Sequence, residues 1–148
     1  MNDNISVLIV APHMLKMVWG TVAPLLQMSE EVADKNTCSD VTKYIPKIES
    51  GEWKLISMID GDKTVAVAIV MIDVAHNGVR SLIITSVGGS GVKLWGPKFM
   101  ALCREIGRHE KCARLMTMVS RTGWIKLGKP YGWEEVHTTY TCDLGEQQ

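Results

Sequence analysis

The sequence predicts an α/β fold of the mixed α+β kind, with an antiparallel meander, a central βαβ unit and helices on both faces of one sheet. Three apolar runs, residues 53–59, 65–74 and 79–87, are separated only by short turns containing glycine, as antiparallel neighbours are. The third run leads through a glycine-rich corner and a helical pattern to another apolar run, and two strands joined in this way lie parallel. With 148 residues, 46% of them hydrophobic, the chain is expected to form a single domain over residues 1–148.

The first elements are expected to be a strand and a helix. Residues 5–10 form a short apolar run that stops before Pro12, which has no free N–H to continue a sheet. Apolar positions then recur at intervals of three and four, which indicates a helix within residues 13–33. Because Gly20 and Pro24 interrupt this pattern, we expect a kink or two short helices.

A second short helix is expected before the meander. Thr37 or Ser39 can supply its N-terminal cap, and Ser50-Gly51 is expected to end it. The middle run of the meander, residues 65–72, carries no polar side chain on either face. This is typical of a central strand that is covered on both sides.

The crossover helix is expected at residues 95–110. Proline is accepted in the first turn of a helix and is costly in its interior, so Pro97 places the start near Trp95. Three further elements are expected: a strand at residues 115–119, helical turns within 121–127 and a closing edge strand at 134–142.

Composition excludes several classes of protein. Lys plus Arg and Asp plus Glu number 16 each, so the chain lacks the positive excess of a nucleic-acid binder. It has no apolar run long enough to span a membrane and no basic flank of a signal peptide, so we expect an intracellular, cytoplasmic protein. The four cysteines are widely spaced, without a Cys-x-x-Cys or His-x-x-x-His pair, and predict reduced, mostly buried thiols and no metal site.

The glycine-rich corner, Gly88-Gly89-Ser90-Gly91, is the most informative local feature. It joins a strand to a helix, where bare backbone amides and the helix dipole together can hold a phosphate. The alternative is a flexible turn that only reverses the chain.

The order of the elements resembles that of the GNAT superfamily of acyl-CoA-dependent N-acetyltransferases, over nearly the whole chain. A narrower resemblance, to small GNAT-like proteins of tailed bacteriophages, rests on residues 51–55, on Trp95, and on residues 121–124 followed by 131–133. Some phage proteins of this kind are associated with the virion.

The GNAT resemblance implies that acetyl-CoA is the cofactor. In that family the corner reads Arg or Gln, two residues, Gly, one residue, and Gly or Ala. Gly89 and Gly91 match the pattern, and Ser86 stands at the Arg or Gln position. The resemblance implies that Thr85, Ser86 and Val87 contact the pantetheine arm, and that the pyrophosphate is held by Gly88, Gly89, Ser90, Gly91, Val92 and Lys93.

The catalytic groups are less clearly marked. A general base would have to face the gap between the two parallel strands, and Glu52, Asp73 and His76 are the candidates. Each is also explained as a solvated residue in or beside a turn.

The proton donor of many GNAT enzymes is a tyrosine four residues before the glycine of a closing Gly-Phe pair. In this chain the pair is Gly132-Trp133, and Gly128 stands at the tyrosine position. Tyr131, beside the pair, is the remaining candidate.

Two functions follow as hypotheses. The first is acetyl-CoA-dependent transfer of an acetyl group to an amine. The second is a catalytically inactive phage protein with this fold, a virion component or a scaffold that binds a host protein, located in the host cytoplasm or in the virion.

Overall fold

The structure is a computed structural model that describes residues 4–33, 40–117, 129–134, 142 and 145. The chain divides into two compact units, Met1–Met118 and Val119–Gln148. That residues 1–148 form a single domain stays a prediction.

Among the described residues, five strands are found: β1 (Ile5–Ile9), β2 (Trp53–Asp60), β3 (Lys63–Val74), β4 (Arg80–Gly89) and β5 (Arg114–Thr117). They form one sheet in which the spatial order follows the chain order. Successive strands from β1 to β4 pair antiparallel, and β5 pairs parallel with β4. The predicted fold class is confirmed, and β1 to β4 begin and end within two residues of the predicted positions.

The central strand β3 is covered on both faces. The five consecutive residues at its middle are all 0% exposed, although neighbouring side chains of a strand point to opposite faces: Ala66, Val67, Ala68, Ile69 and Val70. This confirms the prediction, made from the lack of polar residues, that this strand is central and covered on both faces. A strand with one face in water would carry polar side chains on that face.

The first helix, α1 (Leu15–Ala33), is continuous and follows a 3₁₀ turn at Pro12–Met14. Of the two expected alternatives, two short helices are therefore wrong, and a kink stays a prediction. Pro24 lies inside the helix, but Val22 and Leu26 on either side of it are 1% and 0% exposed in the core. Burial of this face, rather than intrinsic helix propensity, holds the helix together across the proline.

The second helix, α2 (Ile45–Glu49), follows a 3₁₀ turn at Val41–Tyr44 that Asp40 caps. The Oδ1 atom of Asp40 accepts hydrogen bonds from the backbone amide of Thr42 at 3.0 Å and from the Thr42 hydroxyl at 2.6 Å. These bonds hold the pKa of Asp40 below its ordinary value of 3.8. The cap is Asp40 rather than Thr37 or Ser39, which lie outside the described residues.

Helices α1 and α2 cover one face of the sheet and share a core with it. The core cluster on this face consists of Val10, Leu15, Val22, Leu26, Val41, Ile48, Leu55, Val67 and Ile69.

The third helix, α3 (Val92–His109), covers the opposite face. Its buried side includes Trp95, Phe99, Cys103 and Ile106. Lys98 reaches across to β1, where its Nζ donates to the carbonyl of Ile5 at 2.6 Å. The helix therefore extends over the sheet from β5 towards β1.

In the second unit, the structure describes a 3₁₀ turn at Lys129–Tyr131. The helical turns predicted within residues 121–127 lie outside the described residues, as does most of the predicted strand at 134–142. Among the helices that the structure describes, none combines the length and apolar character needed to cross a membrane.

Candidate functional site

The end of β4 passes directly beneath α1, and Gly88 makes this possible. A Cβ atom at this position would overlap the carbonyl oxygen of Leu25 and lie 2.9 Å from its carbonyl carbon and 3.3 Å from Cβ of Ser29. The helix backbone thus rests on the strand backbone. The first glycine of the corner is therefore in close contact with the backbone of α1.

The next glycines turn the chain into α3. Gly89 has φ of 122° and Gly91 has φ of 83°, both in the region that favours glycine. The carbonyl of Gly91 accepts the amides of Leu94 at 2.8 Å and Trp95 at 3.3 Å, which starts the helix at Val92.

The prediction that α3 begins near Trp95 is wrong. Pro97 lies inside the helix, where it cannot donate to the carbonyl of Lys93. The preference of proline for the first turn of a helix does not set the start of α3, because contacts at the glycine corner hold the chain there.

The anchor is the side chain of Trp95, which is 2% exposed and packs edge-on against Phe99 with ring centroids 5.7 Å apart. Its indole Nε1 donates to the carbonyl of Ser90 at 2.8 Å. The amide of Ser90 in turn donates to the carbonyl of Val65 in β3 at 3.0 Å. The corner is thus tied both to the helix that follows it and to the neighbouring strand.

Three backbone amides at this corner are available to a ligand. Among the described residues, no hydrogen bond engages the amides of Gly91, Val92 and Lys93. They stand at the N-terminus of an 18-residue helix, where the dipole favours an anion, and the exposed Lys93 adds a positive charge. This donor set fits the pyrophosphate of CoA, because it offers unpaired N–H groups without a side chain at Gly89 or Gly91 to block approach.

The strand that precedes the corner contains a bulge at Thr85. Ile69 of β3 pairs with Ser86 and Val70 pairs with Ile84, so Thr85 is an extra residue on the β4 side. The Thr85 hydroxyl donates to the carbonyl of Ile69 at 3.2 Å, and the parallel pairing of β4 with β5 is described as far as Ile84. Contacts of residues 85–87 with a pantetheine arm stay a prediction, since residues 118–128 lie outside the described part.

Ser86, at the Arg or Gln position of the family pattern, is buried with 8% exposure. It pairs with Ile69 and shares the face of β4 that carries Gly88, beneath α1. The contact of Gly88 with Leu25 places this face of β4 against the backbone of α1.

The candidate general bases lie at the opposite end of the sheet. Asp73 is exposed and pairs with Ser81, eight residues or about 26 Å of strand before Gly89. The exposed Glu52 forms a surface ion pair with Lys47, with Nζ 3.0 Å from Oε2. The structure does not bring either carboxylate to the glycine corner.

The two remaining candidates stay predictions. His76 is exposed in the turn between β3 and β4. Tyr131 is half-buried in the 3₁₀ turn of the second unit, and its role as proton donor is untested.

A shallow depression of about 130 Å³ lies at the same end of the sheet as Glu52. It is lined by Glu52, Lys54, Val70, Leu82 and Glu110, among others. Since β4 meets it at Leu82, seven residues before Gly89, the depression is separate from the corner.

No metal centre is formed by the described residues, which contain no group of three or more His, Cys, Asp or Glu positioned to hold an ion. Cys103 is a free thiol on the buried side of α3, and burial raises its pKa to about 12. Cys112 is also free and half-buried, and Cys142 is exposed.

No protein-family model matches the chain, and no curated protein matches it in sequence. Solved structures do match it. A probable acetyltransferase has a TM-score of 0.71 at 13% identity, covering 96% of this chain and 99% of that one. A GNAT family acetyltransferase from Staphylococcus aureus has a TM-score of 0.65 at 12% identity, covering 95% and 99%.

A third match is the aminoglycoside N-acetyltransferase AAC(6')-Iy in complex with CoA, with a TM-score of 0.68 at 12% identity, covering 94% of this chain and 93% of that one. At such low identity the likeness shows the fold. The chain has the fold of the GNAT acetyltransferases.

Proposed function

We propose that this chain is an acetyl-CoA-dependent N-acetyltransferase, with an amine as the acceptor. The observation that carries the proposal is the start of α3 directly at the glycine corner, with three unengaged amides at Gly91, Val92 and Lys93. The shared fold with an acetyltransferase in complex with CoA supports it.

The proposed reaction breaks the bond between the acetyl carbonyl carbon and the sulfur of CoA and forms a bond between that carbon and the amine nitrogen. The acceptor ammonium must lose a proton, and the departing thiolate must gain one. The roles of the corner are to bind and orient: its amides and Lys93 hold the pyrophosphate, and residues 85–87 contact the arm that carries the acetyl group.

The proton carriers proposed are Glu52 or Asp73 as base and Tyr131 as acid. Glu52 and Asp73 are both exposed at the end of the sheet away from the corner. The base must lie near the acetyl group of acetyl-CoA, and the pantetheine arm separates the acetyl group from the pyrophosphate. The distance of Glu52 and Asp73 from the glycine corner is therefore compatible with a role as base.

Calorimetric titration with CoA and acetyl-CoA tests the binding step. We expect both to bind, and Lys93→Gln to weaken binding about two- to fivefold, the range of an exposed ionic contact. Lys111→Gln is the matched control, because Lys111 lies just beyond the other end of α3 and loses the same charge. Absence of binding to the unaltered protein at millimolar ligand would refute the proposal.

Turnover is tested separately, by following the release of free CoA thiol with a panel of primary amines. Thiol release above the rate of hydrolysis without amine supports the transferase assignment. Binding of CoA without release for any amine would favour the second candidate.

That second candidate is a catalytically inactive GNAT-fold protein that serves as a virion component or binds a host protein. Ser86 favours it, because a short, buried serine stands where the family pattern has Arg or Gln. Its expected partner is a virion or host protein, and affinity purification from infected cells would identify that partner.

A further inference from the structure

Among the strands that the structure describes, β1 forms one edge of the sheet, and its hydrogen bonds to β2 determine which of its backbone groups face outward. The amide of Val10 donates to the carbonyl of Leu55 at 2.8 Å, and the amide of Gly61 donates to the carbonyl of Asn4 at 2.9 Å. In an antiparallel pair every second residue bonds to the partner strand. Ser6 and Leu8 therefore point their backbone groups towards β2, whereas those of Ile5, Val7 and Ile9 point to the open edge.

Most of this edge is unprotected. The carbonyl of Ile5 accepts from Lys98 Nζ at 2.6 Å, but no hydrogen bond from a described residue reaches the amide or carbonyl of Val7 or Ile9. Natural edge strands are usually guarded by a charge, a proline or a bulge. The sequence of β1, Ile-Ser-Val-Leu-Ile, has none of these, and Leu8 and Ile9 are 42% and 41% exposed.

We propose that a second copy of this chain pairs with β1 in the antiparallel direction, with the two-fold axis passing beside Leu8. In this register Val7 lies opposite the partner's Ile9, and the two residues exchange both amide-to-carbonyl hydrogen bonds. The same pair recurs across the axis, so four hydrogen bonds form from groups that are unpaired in one copy. Leu8 then faces the partner's Leu8, with Cα atoms about 4.5 Å apart.

The backbone groups at the open edge of β1 favour a second copy as the partner and determine the register of the pairing. Residues 7 and 9 each offer an amide and a carbonyl that no described residue engages, and a second copy supplies the complementary set. A two-fold axis at Val7 would require the carbonyl of Ile5, which Lys98 already occupies. Residues 6–9 of β1 carry no charged side chain, so two copies pair along them without like charges meeting, and Leu8 and Ile9 become buried together.

A disulfide trap tests the register. Leu8→Cys places two thiols across the axis at a Cα separation within the range for a disulfide, and we expect a covalent dimer under mild oxidation. Ser6→Cys is the matched control on the same face of β1. In the proposed register the two copies of position 6 lie about four residues, or roughly 13 Å, apart, which is too far for a bond.

The unaltered protein gives the background from its four native cysteines. A dimer trapped by Leu8→Cys above this background supports the inference. No trapping, or equal trapping by Ser6→Cys, overturns it.

Sedimentation velocity over a range of concentrations tests the interface without a covalent bond. We expect a concentration-dependent dimer that Leu8→Lys weakens by at least about tenfold, since it sets two like charges opposite each other. Met17→Lys adds the same charge at a residue of α1 that is 76% exposed, and it should dimerise like the unaltered protein.

Both substitutions replace exposed side chains, so we expect the fold of the monomer to persist. An unchanged far-UV circular dichroism spectrum and an unchanged thermal midpoint would establish this. A monomer at every concentration contradicts the proposal. So does association that survives Leu8→Lys, or that Met17→Lys abolishes.

Discussion

Replacing Gly88 with alanine should push α1 away from the sheet. The added Cβ would overlap the carbonyl oxygen of Leu25, and the Leu25 carbonyl carbon, at 2.9 Å, would have to retreat by about 0.6 Å to reach ordinary van der Waals distance. Both obstacles are helix backbone, which cannot rotate away as a side chain can. We therefore expect the upper end of the cost of overpacking, about 3 kcal/mol.

For a chain of this size, that cost corresponds to a fall in thermal midpoint of about 6–12 °C. The matched control is Gly20→Ala in α1, where a Cβ would meet nothing within 4 Å. Alanine is the better helix former, so this variant should be more stable by about 0.5–1 kcal/mol.

Differential scanning calorimetry of the two variants and of the unaltered protein measures both changes, the fall in thermal midpoint for Gly88→Ala and the rise for Gly20→Ala. A Gly88→Ala midpoint equal to or above that of the unaltered protein would refute the close approach of α1 to β4. A fall of similar size in both variants would show that the loss at Gly88 does not arise from the contact with Leu25.

Three further outcomes are expected. Trp95→Phe removes the indole bond to the Ser90 carbonyl and should lower the free energy of unfolding in urea by about 1–2 kcal/mol, and an unchanged value would mean that the bond contributes nothing. The pKa of Asp40 is lower in the folded state than its ordinary value of 3.8, so the carboxylate stabilises the fold fully above pH 3.8. This stabilisation is lost as the pH falls through the lowered pKa. The urea midpoints of the unaltered protein and of Asp40→Ala should therefore converge as the pH is lowered below 3.8. Burial raises the pKa of Cys103 to about 12, so almost no thiolate is present at pH 8. Mass spectrometry after brief alkylation should therefore find Cys103 unlabelled until urea is added, and equal labelling with and without urea would contradict its burial.

The strands could be predicted because their signals are local. The apolar runs of the meander are separated by turns in which Gly61 and Gly78 have positive φ, and these turns fix the antiparallel order. The all-apolar middle of β3 indicated helices on both faces. These patterns do not depend on which residues lie nearby in space.

The start of α3 could not be predicted from Pro97 alone. The cost of a proline inside a helix is offset by the buried indole of Trp95 and its bond to Ser90, and that bond depends on the three-dimensional path of the corner. A tryptophan four residues after Gly91 was the available signal. Spacing alone does not show which atom its N–H contacts.

The role of Gly88 and the burial of Ser86 are likewise non-local. Both residues lie on the face of β4 that α1 covers, and α1 is more than 50 residues earlier in the chain. The sequence marked the corner as rich in glycine. It did not separate the glycine needed for packing, Gly88, from Gly89 and Gly91, which are needed for the turn.

The central claim is that the amides of Gly91, Val92 and Lys93 hold the pyrophosphate of CoA. Nuclear magnetic resonance spectra of the ¹⁵N-labelled protein, recorded while CoA is added, test it most directly. We predict that these three amide signals move most, and that pantetheine, which lacks the phosphates, leaves them in place. If CoA binds while these signals stay unchanged, or if the largest shifts fall at the depression beside Glu52, the claim is wrong.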